Sequence, residues 1–451
     1  MVTKRPILEI PGPKAREVIE RQKKYTATTT VDSPLVAKRG NGVWLTTVDD
    51  QLVLDGTSGV GVSGLGYGNV GLIRAVIDEL MNRIPQFIAN DFPGETPSLL
   101  AEKLSTFVHV IKPSGGVAKT CFANDGTGAN ETAVKLLLHT QPGKNVFLAF
   151  VGAFHGRTGF SLPLMGSKSI HTRDFPKAYT VLHVPFPEQG KSSWYGNRAI
   201  EWERCIDAFI EREYFGSVVD PKKIAGIFLE IVQGEGGIRP ISPEGLWRII
   251  KLSRKYDIPI VVDEVQTGFG RTGKLFAFER YDFEPHVVTM AKSFTQLVPG
   301  GATVFGEQYD FKEEGVHSGT FQGNAMACRA ALQVIAAFED GSLLAHVNEM
   351  SGVLKDLADR FASYAERKLH GAVRDVRGLG LMYGIEFGDA KFRDEVLHRS
   401  LIRGLNLIGA GHKEKNPTIR LLPPLIIRKA ELKEMFEILH EAFDATVDLI
   451  R

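Results

Sequence analysis

Two apolar runs of strand length, each closed by a charged residue, constrain this chain more than any other feature. The first, Ile258-Pro259-Ile260-Val261-Val262, ends in Asp263 and continues as Glu264-Val265-Gln266-Thr267-Gly268-Phe269-Gly270-Arg271-Thr272-Gly273. The second, His286-Val287-Val288-Thr289-Met290-Ala291, delivers Lys292. Near-continuous apolar runs suit strands buried on both faces, as in a parallel sheet covered by helices. Ligands of such sheets bind outside the carboxyl ends of the strands, which is where Asp263 and Lys292 would stand. Taken alone, the pair also allows a bland reading, with Asp263 capping a loop and Lys292 on the surface.

The pair suits one cofactor chemistry. A lysine amine can form a Schiff base with the aldehyde of pyridoxal phosphate. The same cofactor needs a carboxylate beside its ring nitrogen, so that the protonated ring accepts electrons from a forming carbanion. Lys292 would be the amine and Asp263 the carboxylate.

The flanking sequence alternates strand and helix. Candidate strands cover residues 118–123, 145–151, 179–184, 224–231, 258–263, 287–291 and 302–305, with helical stretches at 129–139, 199–214 and 244–255. Such alternation predicts a mostly parallel seven-stranded sheet with helices on both faces. Upstream lie a short polar helix at 15–24, a hairpin at 42–55 turning at Asp49-Asp50, and a glycine-rich stretch from Gly56 to Gly68. That stretch reads either as a flexible loop or as backbone packed against a ligand or a partner subunit. A one-sided helix is expected over 70–82, with Leu72, Ala75, Val76 and Leu80 inward, and another begins with Thr96 as cap and Pro97 first in the helix. Beyond Gly323 come helical stretches at 324–338, 343–368 and 430–450 and strand-like stretches at 376–387 and 419–427. The predicted division is 1–65 and 331–451 as a smaller α+β domain around a larger domain at 66–330.

With 451 residues, 43% of them apolar, a sizeable core is available. A net charge of +1 gives no electrostatic reason to expect nucleic acid or an anionic membrane as partner. Cys121, Cys205 and Cys328 are scattered and show neither metal-ligand spacing nor a disulfide framework. No metal is expected. Without a signal-peptide core or a membrane-spanning run, the expected location is the cytoplasm.

Other motifs are weaker alone. Asn124-Asp125-Gly126-Thr127-Gly128-Ala129-Asn130-Glu131 joins a strand to a helix, and its backbone N–H groups could face an anion. It is equally an ordinary strand–helix turn. Phe154-His155-Gly156 follows a strand; Phe154 could stack on a planar ring, whereas His155 by itself reads as a surface histidine. Glu230 closes an apolar strand ahead of Gln233-Gly234-Glu235, and Gly319-Thr320-Phe321-Gln322-Gly323-Asn324 opens a helix.

Together these segments resemble one family, the class III (ω-type) aminotransferases, pyridoxal-phosphate enzymes of fold type I. Arg377-Gly378-Leu379-Gly380-Leu381-Met382 and Arg420 before Pro423-Pro424-Leu425 extend the match, which runs in the family's order from about residue 40 to the C-terminus. The resemblance implies a fold-type-I α/β architecture and a homodimer or higher homo-oligomer. It implies that Lys292 carries the Schiff base, that Asp263 meets the ring nitrogen, and that Val265 and Phe154 cover the two ring faces. His155 would adjoin the cofactor, and Gln266 would contact its phenolic oxygen. Gly126 and Thr127 would bind the phosphate, with Thr320 of the second subunit. Arg420 would hold a substrate carboxylate; Glu230 would pair with an arginine or meet the amino group of a long donor. The implied reaction moves an amino group from an amino acid, with ω-amino acids such as 4-aminobutyrate or ornithine among the candidates, to 2-oxoglutarate or another 2-oxo acid. An amino-acid racemase of the same family and a non-catalytic binding protein on the same fold are the alternatives. Three departures stand out: Asp125 where the family commonly has Ser, with Gly128 in place of Glu; Ile231 in place of Pro; and Ser293-Phe294-Thr295-Gln296-Leu297-Val298-Pro299 in place of a Gly-rich run.

Overall fold

The seven strands expected between residues 118 and 305 form one sheet. A computed structural model describes residues 6–29, 33–86, 92–188, 220–411 and 416–450. In chain order the strands are β1 (Ala118–Ala123), β2 (Val146–Phe150), β3 (Thr180–Val184), β4 (Ile224–Leu229), β5 (Ile260–Asp263), β6 (Val287–Met290) and β7 (Gly301–Gly306). They lie side by side as β1-β7-β6-β5-β4-β2-β3. Only β7 runs against its neighbours, β1 and β6. The expected helix over 199–214, and Cys205 within it, lie outside the described residues.

The composition of the strands sets how the sheet must be covered. β2, β4, β5, β6 and β7 are buried along their whole length, which demands cover on both faces. On one face, helix Gly126–Thr140 presents Ala133, Val134, Leu136 and Leu137 to Phe147, Phe228 and Val261. Each such large apolar side chain removed from water contributes about 1.5–3 kcal/mol.

Several local expectations need correction. Helix Glu95–Phe107 is capped at Gly94; Thr96 instead donates its hydroxyl to Glu79 Oε1 at 2.6 Å, inside the first turn, so Pro97 is not first in the helix. On helix Val70–Met81, Leu72 and Val76 are buried, but Leu80 is 48% exposed. The stretch 376–387 is two strands, Val373–Leu379 and Met382–Phe387, paired antiparallel across a tight turn at Gly380. Of the stretch 419–427 only residues 419–421 are strand, the end of Thr418–Leu421.

Both ends of the chain meet. Strand Leu52–Asp55, third of an antiparallel meander with Ala37–Asn41 and Trp44–Thr47, pairs in parallel with Leu405–Asn406. A separate antiparallel sheet contains Val373–Leu379, Met382–Phe387, Thr418–Leu421 and Ile408–Ala410, and its third strand in that order carries Arg420. Helices Ser342–Lys368, Ala390–Leu401 and Lys429–Ile450 accompany it.

Candidate active site

A cavity of about 720 Å3 opens at the carboxyl ends of β1, β2, β4, β5 and β6. The segments leaving those strands bring Gly126, Thr127, Phe154, His155, Glu230, Asp263, Val265, Gln266 and Lys292 together, and Arg420 joins them from the C-terminal sheet. Thr320 is exposed and lies outside this lining.

Asp263 is held by donors on both oxygens. Its Oδ2 accepts from Asn130 Nδ2 and His155 Nδ1, each at 2.8 Å, and its Oδ1 accepts the Val265 backbone N–H at 3.0 Å. His155 is therefore a buried partner of Asp263 and not a surface residue. Burial alone would lower the His155 pKa, but the hydrogen bond and charge of Asp263, helped by Glu230, outweigh it and raise it.

Lys292 reaches the cavity through strand register. Asp263 of β5 lies opposite Thr289 of β6, so Lys292 overshoots the strand end into a short 3-10 turn, Lys292–Phe294. Its backbone is left-handed, with φ 51°, a conformation costing a non-glycine residue about 1–2 kcal/mol. Burial first, and then the charge of Arg420, lower the amine's pKa to about 8 against the pull of Asp263, Glu230 and Glu235. An amine near neutrality is suited to moving protons.

The glycine-rich stretch forms a wall. Ser58, Gly59, Val60 and Gly61 all have positive φ, making one left-handed turn that puts Val60 and Val62 on the cavity. The loop after Lys292 clamps this wall: Ser293 Oγ donates to Gly61 O at 2.9 Å, and Gln296 Nε2 donates to Gly66 O at 2.9 Å.

Three features were not readable as such in the sequence. The carboxylate meeting Arg420 is Glu235, at 3.3 Å from Nη2, while Glu230 accepts the backbone N–H groups of Phe154 and Gly234 at 2.9 and 3.1 Å. Burial pushes the Glu230 pKa up to about 7. Burial would also raise that of Glu235, but Arg420 and Lys168 outweigh it and hold it low. Arg157 lines the cavity with its guanidinium 4.9 Å above the Phe154 ring. Asp125 is the cap of helix Gly126–Thr140, accepting the Gly128 N–H at 2.7 Å, which accounts for a carboxylate at that position.

The residues present fit pyridoxal phosphate. An amine and a donor-held carboxylate share one cavity with the N-terminus of a fifteen-residue helix, a ready anion site. A Cβ on Gly126 would stand 2.8 Å from Val265 Cγ1, so only glycine lets that helix start approach Val265. Gln266 Oε1 is buried without a hydrogen-bond partner among the described residues, a state a ligand donor would relieve.

The family model for class III aminotransferases matches residues 25–443. The chain belongs to the class III aminotransferases. An acetylornithine aminotransferase of Lactococcus lactis is 34% identical over 393 residues, covering 86% of this chain and 91% of that protein. An alanine/serine racemase of Pyrococcus horikoshii is 29% identical over 458 residues, covering 98% and 93%. The crystal structure of an aminotransferase from Vibrio fluvialis in its PMP-bound form matches with a TM-score of 0.82 at 25% identity, over 94% of this chain and 97% of that one. This class III aminotransferase is thus a pyridoxal-phosphate-dependent enzyme of fold type I, acting on amino acids and 2-oxo acids.

Proposed function

We propose that this aminotransferase takes its amino group from an ω-amino acid, of the kind of 4-aminobutyrate or an ornithine, and passes it to 2-oxoglutarate. The observation that carries the reading is the Arg420–Glu235 pair at 3.3 Å. A donor whose amine is remote from its carboxylate has nothing for Arg420 to hold, and Glu235 keeps that buried cation compensated. The donor's distant carboxylate then falls to Arg157. 2-Oxoglutarate carries a carboxylate beside its carbonyl, which displaces Glu235 and binds Arg420 bidentately; its second carboxylate takes Arg157. The acetylornithine aminotransferase relative supports the same donor class.

Pyridoxal phosphate supplies the electron sink for the pair left when the donor carbon loses its proton. Lys292 Nζ would take that proton from the carbon bearing the amine and hand it on. Asp263 would hold the ring nitrogen protonated, His155 supports Asp263, and Val265 and Phe154 would confine the ring. Gly126 and Thr127 would hold the phosphate, and Gln266 would meet the phenolic oxygen. Residues 66–330 act as the cofactor unit, with 1–65 and 331–451 as the smaller unit.

The same reading makes the enzyme a homodimer or higher homo-oligomer in the cytoplasm, with Thr320 completing the phosphate site of the partner. Support comes from exposed apolar residues: Ile77, Leu80 and Met81 on one helix, and Phe321 beside Thr320. No described helix is long and apolar enough to cross a membrane.

Racemisation remains the second reading because the Pyrococcus horikoshii racemase matches along 98% of this chain. The test incubates holoenzyme with 4-aminobutyrate, ornithine, N-acetylornithine or alanine, with and without 2-oxoglutarate, followed by chiral analysis. Glutamate formed fastest from an ω-amino donor is expected. Alanine racemised without 2-oxoglutarate, with no glutamate from any donor, would overturn the reading.

A further inference from the structure

A buried polar chain runs from Asp263, through Asn130 on the cavity wall, to Thr289. Thr289 Oγ1 donates to Asn130 Oδ1 at 2.7 Å, and Asn130 Nδ2 donates to Asp263 Oδ2 at 2.8 Å and to the His155 carbonyl at 2.9 Å. Asn130 and Thr289 are at most 1% exposed, so water cannot replace a lost partner without cost.

The amide can adopt one orientation only. Flipped, its oxygen would face the Asp263 carboxylate and the His155 carbonyl, two acceptors, while its NH2 would lose them. As it stands, Oδ1 accepts from the Thr289 hydroxyl. Thr289 lies opposite Asp263 across the β5–β6 pair, and Asn130 sits one helical turn beyond Gly126. One helix start therefore faces the anion site with its backbone and Asp263 with a side chain.

We infer that Asn130 and Thr289 are positioning residues for the amino-transfer step: their relay fixes Asp263 as an ionised acceptor for a proton shared with the cofactor's ring nitrogen. A proton between a carboxylate and a pyridine nitrogen can rest on either. Donors to the carboxylate stabilise the arrangement with the proton on nitrogen. Remove them, and the proton shifts toward Asp263, leaving a neutral ring that accepts electrons poorly. No bond other than this N–H to O–H exchange changes, so charge is conserved within the pair.

The inference rests on Asp263 being the ring-nitrogen partner. The test loads the full-length protein with pyridoxal phosphate labelled with 15N in the ring and records the nitrogen shift for wild type, Asn130→Ala, Thr289→Val and Thr289→Ser. Wild type should show a pyridinium shift. Asn130→Ala should move it toward neutral pyridine, and Thr289→Val should move it the same way by less. Thr289→Ser, which keeps the hydroxyl, should restore it. The single-turnover rate should fall about tenfold or more in Asn130→Ala, the scale of one charged hydrogen bond, with little change in KM. Thr289→Val is nearly isosteric and keeps the test decisive if Asn130→Ala does not fold. A pyridinium shift unchanged in the variants overturns the relay alone; a neutral nitrogen in wild type overturns the role of Asp263 itself.

Discussion

Replacing Glu235 by Gln removes a charge while keeping the shape of the side chain, and it should change which substrates the enzyme accepts. Glu235 Oε2 stands 3.3 Å from Arg420 Nη2, with both side chains largely buried. At that separation and an effective dielectric of about 20, the direct attraction is about 5 kcal/mol. Any substrate carboxylate headed for Arg420 must compete with it. Desolvating that carboxylate offsets much of the gain, leaving about 1.5–3 kcal/mol, the range of a hydrogen bond to a charged group. Substrates with a carboxylate next to the reacting carbon should therefore gain about 10- to 100-fold in kcat/KM. ω-Amino donors, which leave Arg420 unused, should lose, because the cation is then buried with a poorer partner. Lys168, the other partner of Glu235, is 42% exposed and can turn to water, so it should contribute little. The assay is stopped-flow measurement of the donor half-reaction with glutamate and with 4-aminobutyrate. An unchanged ratio, or a shift toward the ω-amino donor, would refute the reasoning.

Two further outcomes follow from the same geometry. Gly126→Ala should weaken cofactor retention, since its Cβ would meet Val265 methyls at 2.8 and 2.9 Å and push the helix start off its anion site; equilibrium dialysis against pyridoxal phosphate should show it, and unchanged affinity would count against the phosphate assignment. The half-reaction of the pyridoxamine-phosphate form with 2-oxoglutarate should rise with pH up to about 8 and then level. The Lys292 pKa is lowered to about 8, so the proton-accepting free amine grows as pH climbs to that value, about tenfold per pH unit well below it; a flat profile between pH 6 and 8 would contradict Lys292 as the base.

Much of the site was legible because it depends on strand ends. β5 and β6 are short, fully buried and paired in register, so an apolar run ending in Asp263 and another reaching Lys292 necessarily deliver both to one edge of the sheet. Gly126 and Phe154 follow by the same rule from β1 and β2. What escaped depends on contacts between distant segments. Glu235 meets Arg420 only because a loop after β4 faces a strand of the C-terminal sheet, and no periodicity in either segment announces the other. Arg157 gains meaning from the Phe154 ring beneath it. Asn130 reads as one polar residue on a helix whose other face is apolar; only the fold sets it against Asp263 and Thr289. Leu80 failed for a related reason: helical spacing marks an apolar stripe without telling a core from a surface that another chain could cover.

Lys292 as the residue that holds the cofactor can be tested directly. Borohydride reduction of the holoenzyme fixes a Schiff base as a stable secondary amine, and digestion followed by mass spectrometry locates it. The pyridoxyl phosphate adduct is expected on the peptide carrying Lys292, with its loss in Lys292→Ala. An adduct on any other lysine of the active holoenzyme would contradict it.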